Sequence, residues 1–238
     1  MNKLGIIAAT GLGVALVCAV AAASLGVGDI GDDLDFAWFG DPVCADTGAT
    51  AASRSLAWEG SDTVTIEVPA NVHYRPGSGQ MLEVQGDPMV LSHLRVKEGH
   101  IDLDCRLRRW HNRRVDITLP GRQFQRYNVA GLADMDLRDL DQDRLKISIA
   151  GKATVTATGK VNDLKLEIAG KGDAHLKDLA VQKLNLDIAG RGDVETSPTE
   201  EADISIAGSG DVALYTEPRH ISTSIMGSGH IRHLADKN

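Results

Sequence analysis

Five arginines between residues 106 and 114 form the densest basic cluster of the sequence. A guanidinium group binds phosphate and carboxylate groups through paired hydrogen bonds. The cluster therefore predicts a site for an anionic polysaccharide, a lipid headgroup or an acidic partner protein. The alternative is a solvated hairpin tip, because runs of charge are usually exposed to water. The residues of this predicted site are Arg106, Arg108, Arg109, Trp110, Arg113 and Arg114.

Three aspartates, Asp173, Asp193 and Asp211, each follow a Gly-x-Gly unit. If these units stack, the like charges lie about 5 Å apart and repel each other. The carboxylates can then face water, accept hydrogen bonds from backbone amides of the turn, or share a cation such as calcium. We expect them to cap backbone amides.

No arrangement of residues predicts a catalytic centre. A glycosidase needs two carboxylates about 5 to 10 Å apart in a cleft, whereas the acidic residues here recur at equivalent repeat positions. The repeated glycines precede strands rather than one helix, which argues against a nucleotide loop. A net charge of −8 argues against a general nucleic-acid binder. We expect no cofactor and no metal site.

A repeated sequence motif of the type Ile-Ala-Gly-x-Gly-Asp positions the three aspartates. Its lead glycines recur every 18 to 20 residues, at positions 131, 151, 170, 190, 208 and 227. Before each one, apolar and polar residues alternate, as in Leu164, Leu166 and Ile168. This period of two predicts a strand with one buried face. A second short strand follows each glycine, with Val155, Ala174, Val194 and Val212 at equivalent positions.

A repeat of about 19 residues is too short for helix pairs or for a propeller blade. Each strand must therefore stack in parallel on its counterpart one coil later, which predicts an all-β parallel β-helix. Ile149, Ile168, Ile188, Ile206 and Ile225 would form an aliphatic ladder inside it. We expect the glycines to provide corners with positive backbone dihedrals. The predicted structural corner residues are Gly151, Gly170, Gly172, Asp173, Gly190, Gly192, Asp193, Gly208, Gly210, Asp211, Gly227 and Gly229.

We predict that the chain divides into three regions. Residues 1–28 read as a secretory signal peptide or an uncleaved transmembrane anchor, because one lysine precedes a long apolar run. Residues 29–56 form a linker or an N-terminal cap, and residues 57–238 form the β-helix. Between residues 61 and 120 the glycine motif is missing. We expect this segment to form the wider first coils of the β-helix, with some strands paired as hairpins. The body would lie outside the cytoplasm, in the periplasm or cell envelope.

Cys44 and Cys105 are the two cysteines that follow the apolar run. An isolated pair in an oxidising compartment often forms a disulfide. The sequence does not fix the distance between the two residues, so both the bonded and the free state stay open.

The strand Val115–Pro120 followed by repeated Ile-Ala-Gly-x-Gly-Asp-Val units resembles the bacterial family called "putative auto-transporter adhesin, head GIN domain", over residues 55–233. The first two units depart from its pattern, because Ala133 and Ala153 replace the second glycine. The resemblance implies a right-handed parallel β-helix on a cell envelope and supplies no activity. We expect a non-enzymatic binding or adhesion module for an envelope polysaccharide or envelope protein. A polysaccharide-processing lyase or hydrolase is the alternative.

Overall fold

The computed structural model describes residues 43–60, 62–77, 79–106 and 114–234. The predicted signal peptide or anchor, most of the predicted linker, and the residues Arg108, Arg109, Trp110 and Arg113 lie outside the described residues. The described part belongs to the compact unit Asp41–Asn238. No helix within the described residues is long and apolar enough to cross a membrane.

The described chain consists of thirteen strands and one short helix. The strands of the N-terminal part are β1 Ser53–Ala57, β2 Thr63–Ile66, β3 Ala70–Tyr74, β4 Met81–Gln85, β5 Leu94–Lys97, β6 His100–Leu103, β7 Val115–Thr118 and β8 Arg126–Val129. The repeats form β9 Leu132–Ile149, β10 Lys152–Ile168, β11 Lys171–Leu214, β12 His220–Gly227 and β13 His230–His233. Helix α1 is Pro88–His93. Strands β9, β10 and β11 are long because backbone pairing continues around the corners.

The repeats stack in parallel and in register, which confirms the predicted solenoid. Val155 of β10 pairs with Met135 of β9 on one side and with Ala174 of β11 on the other. Leu166 pairs with Ile147 and with Leu186 in the same way. Each coil therefore contributes one strand segment before its lead glycine and one after it. We call the two resulting faces the pre-glycine face and the post-glycine face.

The first coils do not stack in chain order. On the pre-glycine face, β2 lies between β6 and β8, in parallel with both. On the post-glycine face, β3 lies between β7 and β9, again in parallel. The chain therefore completes the β2–β3 coil, builds the end of the solenoid with β4 to β7, and returns over β2–β3 with β8 and β9.

Antiparallel strands close the N-terminal end of the solenoid. Strand β5 pairs with β6, while β4 pairs with both β1 and β7. The expectation of hairpins in this region is therefore confirmed. Helix α1 begins directly after Asp87 and was not predicted from the sequence. The Asp87 carboxylate accepts a hydrogen bond from the Met89 amide, and Pro88 occupies the first helical turn, where no amide donor is needed.

The aliphatic ladder lies inside the solenoid, as predicted, except at its last member. Ile149, Ile168, Ile188 and Ile206 are each 1% exposed. Ile225 is 42% exposed because no further described coil covers β12. The interior position after each corner is filled by a glycine or, in Ala133 and Ala153, by a buried alanine, so the two departures from the glycine pattern leave the register unchanged.

The glycines are required mainly for close stacking, and the expectation of positive dihedrals at all corners was wrong. Of the predicted corner glycines, only Gly190, Gly208 and Gly227 have a φ in the left-handed region. At Gly151, a Cβ would lie 2.1 Å from the carbonyl oxygen of Gly131 in the preceding coil. The second glycines face inward: a Cβ at Gly172 would lie 3.1 Å from the side chains of the ladder isoleucines.

A disulfide between Cys44 and Cys105 ties the N-terminal segment to the closed end of the solenoid, with a Cα–Cα distance of 4.9 Å. His93 makes a second tie beside it. Its Nε2 lies 2.9 Å from the Ala45 carbonyl oxygen, and its Nδ1 lies 2.7 Å from the Asp104 carboxylate. Because both ring nitrogens face acceptors, the doubly protonated ring fits this position best.

Candidate ligand-binding groove

A groove of about 520 Å³ runs along the pre-glycine face at the start of its strands. It extends across coils from β8 to β11. Five cationic and three acidic side chains line it, in a chain whose net charge is −8. The lining residues are Gln125, Arg126, Arg144, Leu145, Lys146, Asp163, Leu164, Lys165, Lys183, Leu184, Asn185, Glu201 and Asp203. We call this feature the cationic groove.

Three cations form a column in the cationic groove. Arg126 pairs in register with Lys146, and Lys146 pairs with Lys165. Neighbouring strands lie about 4.8 Å apart, so three like charges on one side of the sheet repel each other. The column therefore attracts anions, except where carboxylates of the protein already neutralise it.

Glu167 neutralises part of this column. Its carboxylate lies 2.8 Å from Lys146 Nζ and 2.9 Å from Lys165 Nζ, and it accepts a hydrogen bond from Ser148. Burial alone would raise the pKa of Glu167, but the hydrogen bonds from Lys146, Lys165 and Ser148 outweigh it, so the pKa is lowered. One carboxylate thus serves two lysines, while Arg126, the third cation of the column, pairs with Asp62 at 3.1 Å.

The neighbouring column alternates in charge. Arg144 pairs in register with Asp163, and Asp163 pairs with Lys183. Lys183 Nζ lies 3.7 Å from the Glu201 carboxylate. All four side chains are exposed. Within the described residues Arg144 makes no ion pair, so its guanidinium is the cation of the groove most available to a ligand.

Asp187 lies one coil beyond Glu167 on the same face. Burial raises the pKa of Asp187, and the charges of Glu167 and Asp203 add to this effect, while Lys165 opposes it. The outward-facing polar side chains of this face are not all exposed to solvent. Glu167 is only 9% exposed, which shows that the long lysine side chains cover this part of the sheet.

The structure places two residues of the predicted arginine cluster. Arg114 pairs with Asp134 and donates a hydrogen bond to Asn71, so it contributes to packing between coils. The carbonyl oxygen of Arg106 accepts a hydrogen bond from the Cys44 amide. The other members of the cluster lie outside the described residues, and their role as a binding site stays a prediction.

Two of the corner aspartates contact the next coil. The Asp193 carboxylate accepts a hydrogen bond from the Asp211 amide at 3.3 Å, which is the expected capping role. Asp211 lies 3.3 Å from His230 and 3.5 Å from Arg232. Among the described residues, the only possible metal ligands that converge are His93, Asp104 and Cys105. The sulfur of Cys105 is held in the disulfide, so these three do not form a metal site.

Comparison with known proteins identifies the repeat region. Residues 116–218 match the model of the family "Putative auto-transporter adhesin, head GIN domain". Residues 116–218 are therefore similar to a head GIN domain. The matched residues include every residue that lines the cationic groove and all four ladder isoleucines that are buried. No curated protein matches the chain.

Solved structures of bacterial proteins are similar to this chain. One is a "putative adhesin" from Bacteroides fragilis, with a TM-score of 0.52 and 20% identity over 76% of this chain and 95% of that chain. Another is a "putative lipid binding protein" from Parabacteroides distasonis, with a TM-score of 0.40 and 16% identity over 76% of this chain and 95% of that one. At 20% identity the likeness to the first of these structures concerns the fold alone.

Proposed function

We propose that this chain is a non-enzymatic binding module of the bacterial envelope that holds an anionic polysaccharide in the cationic groove. The observation that carries the proposal is the column Arg126, Lys146 and Lys165 beside the exposed Arg144. Like charges stacked in register reduce stability. A polyanion bound along the column would relieve that repulsion.

The composition of the groove favours charged over neutral sugars. None of the described residues that line it is aromatic, so the flat stacking surface that a neutral sugar ring would use is missing. Carboxylates such as Asp163 and Asp203 can accept hydrogen bonds from sugar hydroxyls, while guanidinium and ammonium groups bind uronate, sulfate or phosphate groups. Export through the apolar segment 1–28 would place the groove in the periplasm or on the cell envelope, as a family of adhesin-like proteins suggests.

The test is a glycan-array comparison of the full chain and two double variants. Arg144→Gln with Lys183→Gln removes two exposed cations of the groove. The matched control is Lys152→Gln with Lys171→Gln, which removes two exposed, register-paired lysines from the post-glycine face. We expect binding to anionic glycans that only the groove variant loses. Equal loss in both variants would mean non-specific attraction, and strong binding of neutral glycans would contradict the proposal.

The arginine cluster is examined by a third variant in the same assay. Arg106, Arg108, Arg109 and Arg113 are changed to Ser, and Arg114 is kept because its contacts with Asp134 and Asn71 belong to the fold. Loss of glycan binding in this variant alone would move the site from the groove to the cluster. Retained binding is the expected result.

A polysaccharide-processing enzyme is the alternative, and one observation favours it. Glu167 and Asp187 are stacked carboxylates whose pKa values are shifted in opposite directions, which is a common arrangement of catalytic acids and bases. Neither residue lines the groove, however. Release of reducing ends from an anionic polysaccharide, abolished by Asp187→Asn, would support this alternative over simple binding.

A further inference from the structure

The C-terminal end of the described solenoid is open. Strand β12 pairs in parallel with β11, so that Ile221, Thr223 and Ile225 take the interior positions held by Ala202, Ile204 and Ile206 one coil earlier. Those three earlier residues are at most 1% exposed, whereas Ile221 and Ile225 are 44% and 42% exposed. The interior of the solenoid is therefore uncovered at this end.

The outer edge of β12 lacks the usual protection of an exposed strand. Within the described residues β12 pairs with β11 alone, and its backbone groups on the other side are unpaired. Edge strands of native proteins are normally protected by lysine, proline, a bulge or a covering segment. No charged residue and no proline occurs from Ile221 to Gly229, so this edge is suited to pairing with another strand.

The sequence of this edge is a palindrome. Residues 221–225 read Ile-Ser-Thr-Ser-Ile in both directions, with Thr223 at the centre. We propose that β12 pairs in antiparallel orientation with β12 of a second copy of this chain, about a twofold axis at Thr223. In this register Ile221 lies opposite Ile225 of the second copy. Paired residues of antiparallel strands share one side of the sheet, so the aliphatic ladder continues across the interface.

The charges around β12 are compatible with this pairing. Ser222 meets Ser224, and His220 meets Met226, so no like charges lie opposite each other along the strand. Beyond it, Glu217 of one copy approaches the end where His230 and Arg232 of the other share the single carboxylate of Asp211. An acidic group thus lies near the guanidinium group of Arg232.

The other end of the solenoid explains why a closed dimer is expected rather than a fibre. There β1, β4 and β5 pair in antiparallel fashion, and α1 buries Val90 and Leu91. The closed N-terminal end therefore does not complement the open C-terminal end of another copy, so we expect no head-to-tail assembly. An interface between identical surfaces closes on itself after two copies.

Disulfide cross-linking of variants with one introduced cysteine tests the register of the proposed β12–β12 pairing. In the full chain with Cys18→Ser, Thr223→Cys places two thiols directly opposite each other, with Cα atoms about 4.5 to 5.5 Å apart, within the range of a disulfide. We expect a covalent dimer on mild oxidation. Ser222→Cys alone should not cross-link, because its copies lie about 8 Å apart, beyond the disulfide range. A mixture of Ser222→Cys and Ser224→Cys should form the mixed dimer.

Sedimentation of the full chain in detergent tests the interface without cysteines. Ser224→Lys adds a charge at the edge and should shift the dimer to monomer. The control is Ser205→Lys, because Ser205 is the register partner of Ser224 one coil inside. It should remain dimeric, and circular dichroism should show both variants folded. A monomeric wild-type chain, or Ser222→Cys that cross-links as well as Thr223→Cys, would overturn the proposal.

Discussion

A Cβ atom at Gly208 would lie 2.2 Å from the carbonyl oxygen of Gly190, the equivalent residue one coil earlier. The same contact recurs along the corner: at Gly170 the distance to Gly151 is 2.4 Å, and at Gly227 the distance to Gly208 is 2.0 Å. The corner therefore behaves as a column of backbone atoms with no room for side chains. This spacing explains the periodic glycines more completely than their dihedral angles do.

Gly208→Ala should lower the free energy of unfolding by about 3 kcal/mol or more. A positive φ of 142° costs about 1 to 3 kcal/mol in a residue with a side chain, and the clash adds to it. Two controls separate the causes. Gly48 has a φ of 67°, but a Cβ atom there would have no other atom within 4 Å, so Gly48→Ala tests the dihedral angle alone. Gly151 has no left-handed φ, but a Cβ atom there would clash with the preceding coil, so Gly151→Ala tests the clash alone. Chemical denaturation should show a larger loss for Gly151→Ala than for Gly48→Ala; the reverse order would refute the stacking explanation.

Ile188→Asp should prevent stable folding or cost about 4 kcal/mol, because it places an unpaired charge in the aliphatic ladder. Asp187→Ser is the matched control on the outward side of the same strand. Its carboxylate is partly desolvated beside Glu167 and Asp203, so its removal should leave stability unchanged or slightly increased. Thermal unfolding of both variants would be compared, and equal destabilisation would contradict the inward and outward assignment.

Glu167→Gln should cost about 2 kcal/mol at neutral pH, since hydrogen bonds to a charged group are lost. The folded-state pKa of Glu167 is lower than its ordinary value of 4.5. Its contribution is therefore present above pH 4.5 and disappears as the pH falls through the folded-state pKa. Denaturation at a series of pH values should show wild type and variant converging in acid. Glu195→Gln, which removes the exposed pair with His175, should cost less than about 1 kcal/mol.

His93→Gln should destabilise the closed N-terminal end below neutral pH. The hydrogen bond to the Ala45 carbonyl raises the pKa of His93 above 6.5, burial opposes this shift, and Asp104 adds to the rise. The stabilising contribution is therefore full below pH 6.5 and is lost as the pH rises through the folded-state pKa. An NMR titration of the ring should report the raised pKa directly. A pKa at or below 6.5 would contradict the two-acceptor geometry.

The repeats could be predicted from sequence because the alternation of apolar residues matches the buried positions in each repeat. Alternation of apolar residues gave the inward positions of Ile168 and Ile188, and the glycine spacing gave the coil length. The order of the first coils could not be predicted, because β2 and β3 lie between strands that follow them in the chain. Without a repeated motif, nothing in the local sequence specifies which strand pairs with which.

The cationic groove was missed although its signal was present. Arg126, Lys146 and Lys165 hold one coil position at intervals of 20 and 19 residues. Arrangement of the sequence by coil would have shown the column. The arginines at 106–114 are close in sequence and therefore give a more conspicuous local signal. In a solenoid, residues one coil apart are closer in space than many sequence neighbours, so clusters along the chain are a weaker guide to a site.

The most direct test of the proposed function is the affinity of the full chain for one anionic polysaccharide, measured at several salt concentrations. We predict that Arg144→Gln with Lys183→Gln weakens binding about tenfold or more and reduces its salt dependence, because fewer cations contact the polymer. Lys152→Gln with Lys171→Gln should bind as the wild type does. Unchanged affinity in the groove variant would contradict the assignment of the groove as the binding site.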